Sequence, residues 1–370
     1  MNQNNTSPRV DKTTGQDEKF RQAFALLERA IEQQAFPGAV TAITYQTELV
    51  ALKGLGHFTY YAGSPPCHAN TVYDLASVTK VVATTAACMI LCERGQLFLG
   101  HPVADILPEF AGADPRKKKV TLEMLLAHSS GLPGYAKLFE TASTRQELLN
   151  QAFHLPLKTD PGTRAEYSDI GFILLGEAVE RLAGRALDEF CQQEIFAPLK
   201  VDIAYCPAPG QKPGIPPTEK DTSFRHKTVQ GEVHDENTWV MGGVAGPAGC
   251  FGTAEAVAGF AECMLRRGVP LLQPHTVDLF TQRQASPAGT SRALGWDTPS
   301  APSQSGKYFS RKSYGHLGYT GTSLWIDPER QLSVTLLTNR TWPDRSSQAI
   351  KKLRPAFHDA VVEAIEAVSR

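Results

Sequence analysis

The chain of 370 residues is roughly two and a half times a usual domain length, so it has room for one large or two intimate domains, and a peptide-sized or metal-stapled scaffold is excluded. Its 37 basic and 38 acidic side chains almost cancel, which leaves no field to attract nucleic acid or an anionic membrane. Hydrophobic residues make up 42% and charged residues 20%, ordinary values for a globular chain with a sizeable core. The seven cysteines (Cys67, Cys88, Cys92, Cys191, Cys206, Cys250 and Cys263) are odd in number and show no paired spacing, which predicts reduced thiols in a reducing compartment. The opening MNQNNTSPRVDKTTG lacks the apolar core of a signal peptide, and no run of eighteen apolar residues follows. A cytoplasmic location is therefore expected, or a periplasmic one if a leader has been trimmed, with residues 1–16 disordered.

In chain order, 17–34 carries Phe20, Phe24, Leu27 and Ile31 at helical spacing and stops at Phe36-Pro37-Gly38, predicting a first amphipathic helix. Residues 39–45 and 49–55 read as a β-hairpin. A turn-rich passage leads to a strand-like 71–76 and then to 78–94, apolar on nearly every side and ended by Gly95, as suits a helix buried in the middle of the protein. Helices are expected over 122–127 behind Thr121, 145–152, 171–182 and 187–196. The five prolines and two glycines of 207–217 predict an irregular surface connection. Beyond it come a helix at 254–267, strands at 324–326 and 332–337, and a closing amphipathic helix at 348–368 that Pro355 should kink or split. Strands at both ends and helices between them predict an α/β (α+β) fold: a sheet domain from 17–75 and 240–370 around a mainly helical domain at 76–239.

Several catalytic signatures are missing, among them the Gly-x-Ser-x-Gly elbow, His-Glu-x-x-His, the phosphate-binding loop and Gly-x-Gly-x-x-Gly. Of the ten histidines, His226 and His234 come closest to a ligand pair, yet neither has a Cys or carboxylate at metal spacing, and both read as surface residues. No metal or organic cofactor is expected. What remains is Ser77-Val78-Thr79-Lys80. About one such tetrad is expected by chance in a chain this long, and a capping serine followed by a snorkelling lysine would produce it too. Its position counts for more: where a strand meets the buried helix, Ser77 stands at a helix N-terminus with Lys80 one turn on, on the same face. Serine needs a base, and a lysine kept neutral by burial can serve. Tyr167-Ser168-Asp169 precedes a helix, so its phenol can relay a proton if it lies near the lysine, although Asp169 as a cap and Tyr167 as packing would look the same. His316-Leu317-Gly318-Tyr319-Thr320-Gly321 stands just before the strand at 323–326, where an edge strand could line a cleft; a glycine-rich hairpin turn is the plainer reading. Lys212-Pro213-Gly214 lies in the proline-rich connection and cannot offer strand N–H groups.

Taken in order, Ser77-x-x-Lys80, Tyr167-x-Asp169 and His316-x-Gly318 resemble the three motifs of the serine β-lactamase and penicillin-binding protein superfamily. Residues 125–133, 161–177, 242–254 and 315–328 resemble its class C β-lactamase-like branch, with D-alanyl-D-alanine carboxypeptidase-like proteins, D-aminopeptidases and family VIII carboxylesterases. The resemblance spans about 20–340. It implies an antiparallel sheet flanked by helices with an inserted helical domain, and an acyl-enzyme on Ser77. Lys80 and Tyr167 would share the general base role, and the N–H groups of Ser77 and Tyr319 would form the oxyanion hole, each donor worth ~3 to 4 kcal/mol. Asp169 would orient Lys80 or the acyl amide, and His316 and Gly318 would bind substrate. Two departures stand out. Where the branch often has Lys-Thr-Gly, His316 is only partly cationic and Leu317 has no hydroxyl, so a carboxylate should be held less well unless an arginine such as Arg292 reaches the cleft. Pro247 stands where related sequences often carry His, with no role attached. The expected activity is hydrolysis of a small ester, amide or peptide. A D-alanyl-D-alanine carboxypeptidase or weak β-lactamase is the alternative, and a catalytically silent ligand-binding scaffold the alternative of another class.

Overall fold

The computed structural model describes residues 13–368. Five antiparallel strands form the main sheet: β1 (Gly38–Tyr45), β2 (Glu48–Gly56), β3 (Tyr314–Leu317), β4 (Ser323–Asp327) and β5 (Leu332–Thr338), in the order β2-β1-β5-β4-β3. The hairpin is as expected, with Ala39 opposite Leu55, and β1 pairs with β5 through Val40 and Leu337, so the sheet joins the two ends of the chain. Strand β1 is buried along nearly its whole length because its alternating side chains serve two cores. Ala39 and Ile43 face one layer with Phe20, Phe24, Leu27, Phe357, Val361 and Ile365. Val40 and Ala42 face the other, which runs without a break into the helical part of the molecule through Val81, Phe172 and Phe260. Each Phe, Leu, Ile or Val side chain among them taken fully out of water contributes about 1.5–3 kcal/mol.

The outer layer is built by α1 (Arg21–Glu32) and the closing helix (Ile350–Val368). The predicted first helix is interrupted: Phe20 takes φ −102° and ψ 22° and is fully buried, leaving a separate turn, Gln16–Lys19. Of residues 1–16, expected to be disordered, 1–12 lie outside the described residues, whereas Gln16 accepts a hydrogen bond from Leu52 N–H through Oε1 at 2.8 Å. Pro355 does not split the closing helix. Proline cannot donate to Lys351 C=O one turn back, and Gln304 Nε2 supplies that bond instead at 3.1 Å.

The central apolar stretch changes winding as it proceeds: a 3₁₀ turn at Ala76–Val78, a wide π-type segment at Lys80–Thr85, then α2 (Ala86–Glu93). Across it lies α3 (Asp169–Ala183), and α4 (Ala254–Leu265) packs against β1 and β5. The strand expected over 71–76 is only Tyr73–Asp74, paired with Cys250–Gly252, which also pairs with Ile203–Tyr205. The proline-rich connection is less irregular than expected, since Pro209–Gly214 forms a 3₁₀ helix.

Helix α3 and the loop at 242–249 meet at two glycines. A Cβ on Gly246 would stand 2.0 Å from Phe172 C=O, and one on Gly176 would stand 2.8 Å from Gly246 N. Replacing Gly246 by alanine is expected to lower stability by about 1–3 kcal/mol, read as a lower urea midpoint with an unchanged slope. Gly210→Ala, where a Cβ meets nothing within 4 Å, serves as the control and should stay within about 0.5 kcal/mol.

Candidate active site

Ser77 sits in the middle of the 3₁₀ turn and makes no capping bond. The residue before it, Ala76, is held at φ +47°, a left-handed conformation that costs a non-glycine residue about 1–3 kcal/mol unless its surroundings enforce it. Here they do. Asp74 Oδ1 accepts Ala76 N–H at 2.8 Å and Oδ2 accepts His234 N–H at 2.7 Å. From the hairpin between β3 and β4, Thr320 Oγ1 donates to Asp74 C=O at 3.0 Å and Thr322 Oγ1 to Leu75 C=O at 2.8 Å. The turn bearing the serine is thus bolted to the end of the main sheet.

Lys80 is fully buried, and its ammonium has three acceptors for three protons: Ser77 Oγ at 3.1 Å, Asp169 Oδ1 at 2.6 Å and Pro247 C=O at 2.9 Å. Burial pulls the lysine pKa down, but the neighbouring Asp169 and Tyr167 outweigh it and hold it above the ordinary value. The expectation of a lysine kept neutral by burial is therefore corrected: a carboxylate at 2.6 Å keeps Lys80 an ammonium at rest. Asp169 is free to do so because Ser168, not Asp169, caps α3, its Oγ accepting Gly171 N–H at 2.9 Å.

Tyr167 lies beside Lys80, whose Nζ is 5.0 Å from its ring centroid, and burial, then Asp169, pushes its phenol up to about 12. Two histidines flank it, with ring centroids 4.8 Å (His128) and 5.9 Å (His316) from its own. Both are held well below the ordinary histidine value by burial and by the nearby cations Lys80 and Arg292. His316, expected to be partly cationic, is thus a neutral imidazole, its Nδ1–H donating to Leu317 C=O at 2.9 Å. It lies on β3, which is the edge strand; the strand at 323–326 expected to line the cleft belongs to β4, inside the sheet.

After β3 the chain turns at Gly318, where a Cβ would fall 1.9 Å from Thr322 Oγ1. Two arginines bind the carbonyls of this turn from behind. Arg354 Nη2 donates to Thr322 C=O at 3.1 Å and Gly318 C=O at 3.4 Å, and Arg340 Nε donates to Tyr319 C=O at 2.7 Å. The Tyr319 side chain is half exposed, stacked on His234 at 5.6 Å. His234, read from sequence as a surface residue, is buried, with Nε2 2.9 Å from Glu219 Oε2; His226 is exposed as expected.

Ser77, Tyr167, Asp169, His316, Gly318 and Tyr319 all line one cavity of about 720 Å³, with Lys80 behind them. Pro247, which had no role, supplies Lys80's third acceptor and lines the same cavity, and Arg292 does reach it. Sequence reasoning missed Asp74, Thr320, Thr322, Arg340 and Arg354. Asp74 alone had a usable signal, an acidic residue two positions ahead of a turn, where Asx hydrogen bonding is common. Among the described residues no group of three or more His, Cys, Asp or Glu side chains is placed to hold a metal ion.

A profile described as Beta-lactamase matches residues 23–355. The chain is 33% identical to the N-acetylmuramyl-L-alanine amidase of Bacillus subtilis (strain 168), over 87% of this chain and 81% of that protein. It is 32% identical to a protein of Escherichia coli (strain K12) named provisionally as a D-alanyl-D-alanine carboxypeptidase, over 85% and 81% of the two. Among solved structures, EstCE1, a hydrolase with promiscuous acyltransferase activity, superposes with a TM-score of 0.76 at 20% identity over 94% of this chain and 99% of its own.

Removing the carboxylate isolates the buried charge. Asp169→Ala is expected to lower stability by about 3–5 kcal/mol at neutral pH, and Lys80→Met added to it to recover most of that loss. The pH sign differs too. In the wild type the raised Lys80 pKa contributes stability that is complete below the ordinary lysine value and lost as pH climbs through the folded-state pKa. In Asp169→Ala burial dominates and stability rises with pH instead, which urea unfolding between pH 6 and 10 would reveal. Equal pH slopes in the two proteins would contradict the pairing.

Proposed function

The chain belongs to the β-lactamase family, and on that premise we propose that it is a serine hydrolase that forms an acyl-enzyme on Ser77 and cleaves a small ester, amide or peptide. The observation that carries the reading is the Lys80 ammonium, hydrogen-bonded to Ser77 Oγ within a cavity large enough for a small acyl donor. The name of the Bacillus amidase supports an amide donor.

Lys80 and Tyr167 act as one coupled acid-base pair. When the pair is one proton short, Ser77 Oγ gives its proton to it and attacks the acyl carbon. The pair then returns that proton to the departing oxygen or nitrogen, the C–O or C–N bond breaks, and the acyl group stays on Ser77. Water then adds to the ester, its proton passing through the same pair, and frees the acid and the serine. Because Lys80 is protonated at rest and the phenol titrates at about 12, the proton-deficient form is scarce at neutral pH and the rate should climb toward alkaline pH. Asp169 orients Lys80. The N–H groups of Ser77 and Tyr319 receive the developing oxyanion, and neither is used in the hydrogen bonds of turns and loops among the described residues. His316 and Gly318 shape the substrate-facing strand end.

Two measurements test this. Wild-type protein is expected to be labelled by a fluorophosphonate and to hydrolyse p-nitrophenyl acetate, and Ser77→Ala to lose labelling altogether and at least about 10³-fold in kcat. No Ser77-dependent labelling or turnover would sink the reading, while labelling by penicillin with negligible ester turnover would favour a carboxypeptidase or weak β-lactamase. In the pH profile of kcat/KM no limb should belong to His128 or His316. Asp235, lining the cavity, is pushed up to about 6 by burial and then by Asp169. An acid limb near pH 6 should vanish in Asp235→Asn and keep its position in His316→Gln; a limb that moves with His316 would overturn the neutral imidazole.

A further inference from the structure

Arg354, on the closing helix, is only 4% exposed, the most deeply buried of the four arginines that line the cavity. The other three have acidic company. Arg345 binds Glu219 and Glu236, Arg292 has Asp297 Oδ1 at 3.6 Å, and Glu219 lies within electrostatic reach of Arg340. Among the described residues no carboxylate pairs with Arg354, and the charge that acts on it is another cation, Arg340. Burial and then Arg340 pull its pKa down to about 9, which still leaves it charged at neutral pH.

The hydrogen bonds Arg354 makes are ones the turn does not need. Its Nη2 donates to Thr322 C=O at 3.1 Å and Gly318 C=O at 3.4 Å, and its Nε is buried without a partner among the described residues. Both carbonyls already accept a backbone N–H: Thr322 C=O that of Gly318 at 2.7 Å, and Gly318 C=O that of Gly321 at 3.1 Å. Thr320 and Thr322 hold the same turn to Asp74 and Leu75. A buried charge with no counter-ion, placed on a turn that its own backbone closes, costs free energy without a structural return.

The return lies across one peptide group. Gly318 C=O and Tyr319 N–H are its two ends, joined by the conjugated C–N bond. A cation on the oxygen draws electrons toward it and makes the N–H a stronger donor, and the low dielectric of a buried site magnifies the effect. When Ser77 Oγ bonds to the acyl carbon, the electron pair of the C=O bond moves onto its oxygen. That oxyanion then meets an N–H backed by a full positive charge. The missing counter-ion of Arg354 is thus a charge that exists only during the reaction.

Resting on the hydrolase reading above, we propose that Arg354 is a positioning residue whose charge stabilises the oxyanion through the Gly318–Tyr319 peptide, in acylation and deacylation alike.

The test uses p-nitrophenyl acetate, which carries no charge, so a loss of rate cannot come from a contact between Arg354 and a substrate anion. Arg354→Met and Arg354→Gln are expected to lower kcat and kcat/KM together by about 10- to 100-fold, less than for removal of an oxyanion donor itself. Arg354→Lys, with the charge but not the fork, should stay within about 5-fold of wild type. The urea midpoint of Arg354→Met should be unchanged or higher, because the substitution buries an apolar side chain and strands no counter-ion. A residue that only clamped the turn would give the reverse: Arg354→Gln, still a donor, would keep its activity, and Arg354→Met would lose stability. Wild-type kcat/KM in Arg354→Met, equal activity in Arg354→Gln and Arg354→Lys, or an Arg354→Met protein that has a lower midpoint or fails to fold would each overturn the proposal and leave the hydrolase reading standing. Absence of Ser77-dependent turnover in the wild type would instead remove that reading itself.

Discussion

A buried ammonium that finds three acceptors organises this molecule. Lys80 sits where the central apolar segment widens, and its three hydrogen bonds reach the serine turn, the first residue of α3 and the loop at 242–249. Those three pieces are far apart in the chain. Leaving a charge unpaired in such a place costs several kcal/mol, so correct assembly of all three is enforced by one side chain. The same ion pair that secures the fold sets the resting protonation state of the site.

A second constraint ties the serine to the sheet. Ala76 is held in a conformation it would not choose, and the groups that hold it come from the residue pair before it and from the threonines of the β3-β4 hairpin. Arg340 and Arg354 in turn fix the carbonyls of that hairpin. The peptide joining Gly318 and Tyr319 is therefore held on its carbonyl side while its N–H is left for the cavity. Strain, strand and donor form one mechanical unit, and this is why a site built at the meeting of several loops can be rigid.

Much of this was legible in the sequence. The hairpin, the buried central segment, the two-ended sheet and the order of Ser77, Lys80, Tyr167, Asp169 and His316 could all be read, because side-chain periodicity and motif spacing are local. What could not be read depends on neighbours distant in the chain. The Pro247 carbonyl is a backbone acceptor and leaves no trace in residue type. His234 looked like a surface residue because its partner Glu219 lies across a small hairpin. Arg354 is hidden in a helix whose apolar stripe draws the eye, and the ionisation of Lys80 and His316 follows from which charges fold beside them. The first helix broke at Phe20 and the last survived Pro355 for a similar reason: tertiary packing in one case and Gln304 in the other overrode local preference.

The site depends on Lys80 being a cation at rest, and its ionisation can be followed directly. In protein labelled with ¹³C at lysine Cε, the Lys80 resonance is assigned by its absence from Lys80→Arg and followed from pH 6 to 11. The expected result is a shift typical of an ammonium throughout the neutral range, with Lys80 deprotonating later than the surface lysines. A Lys80 that has lost its proton by pH 8 would contradict it.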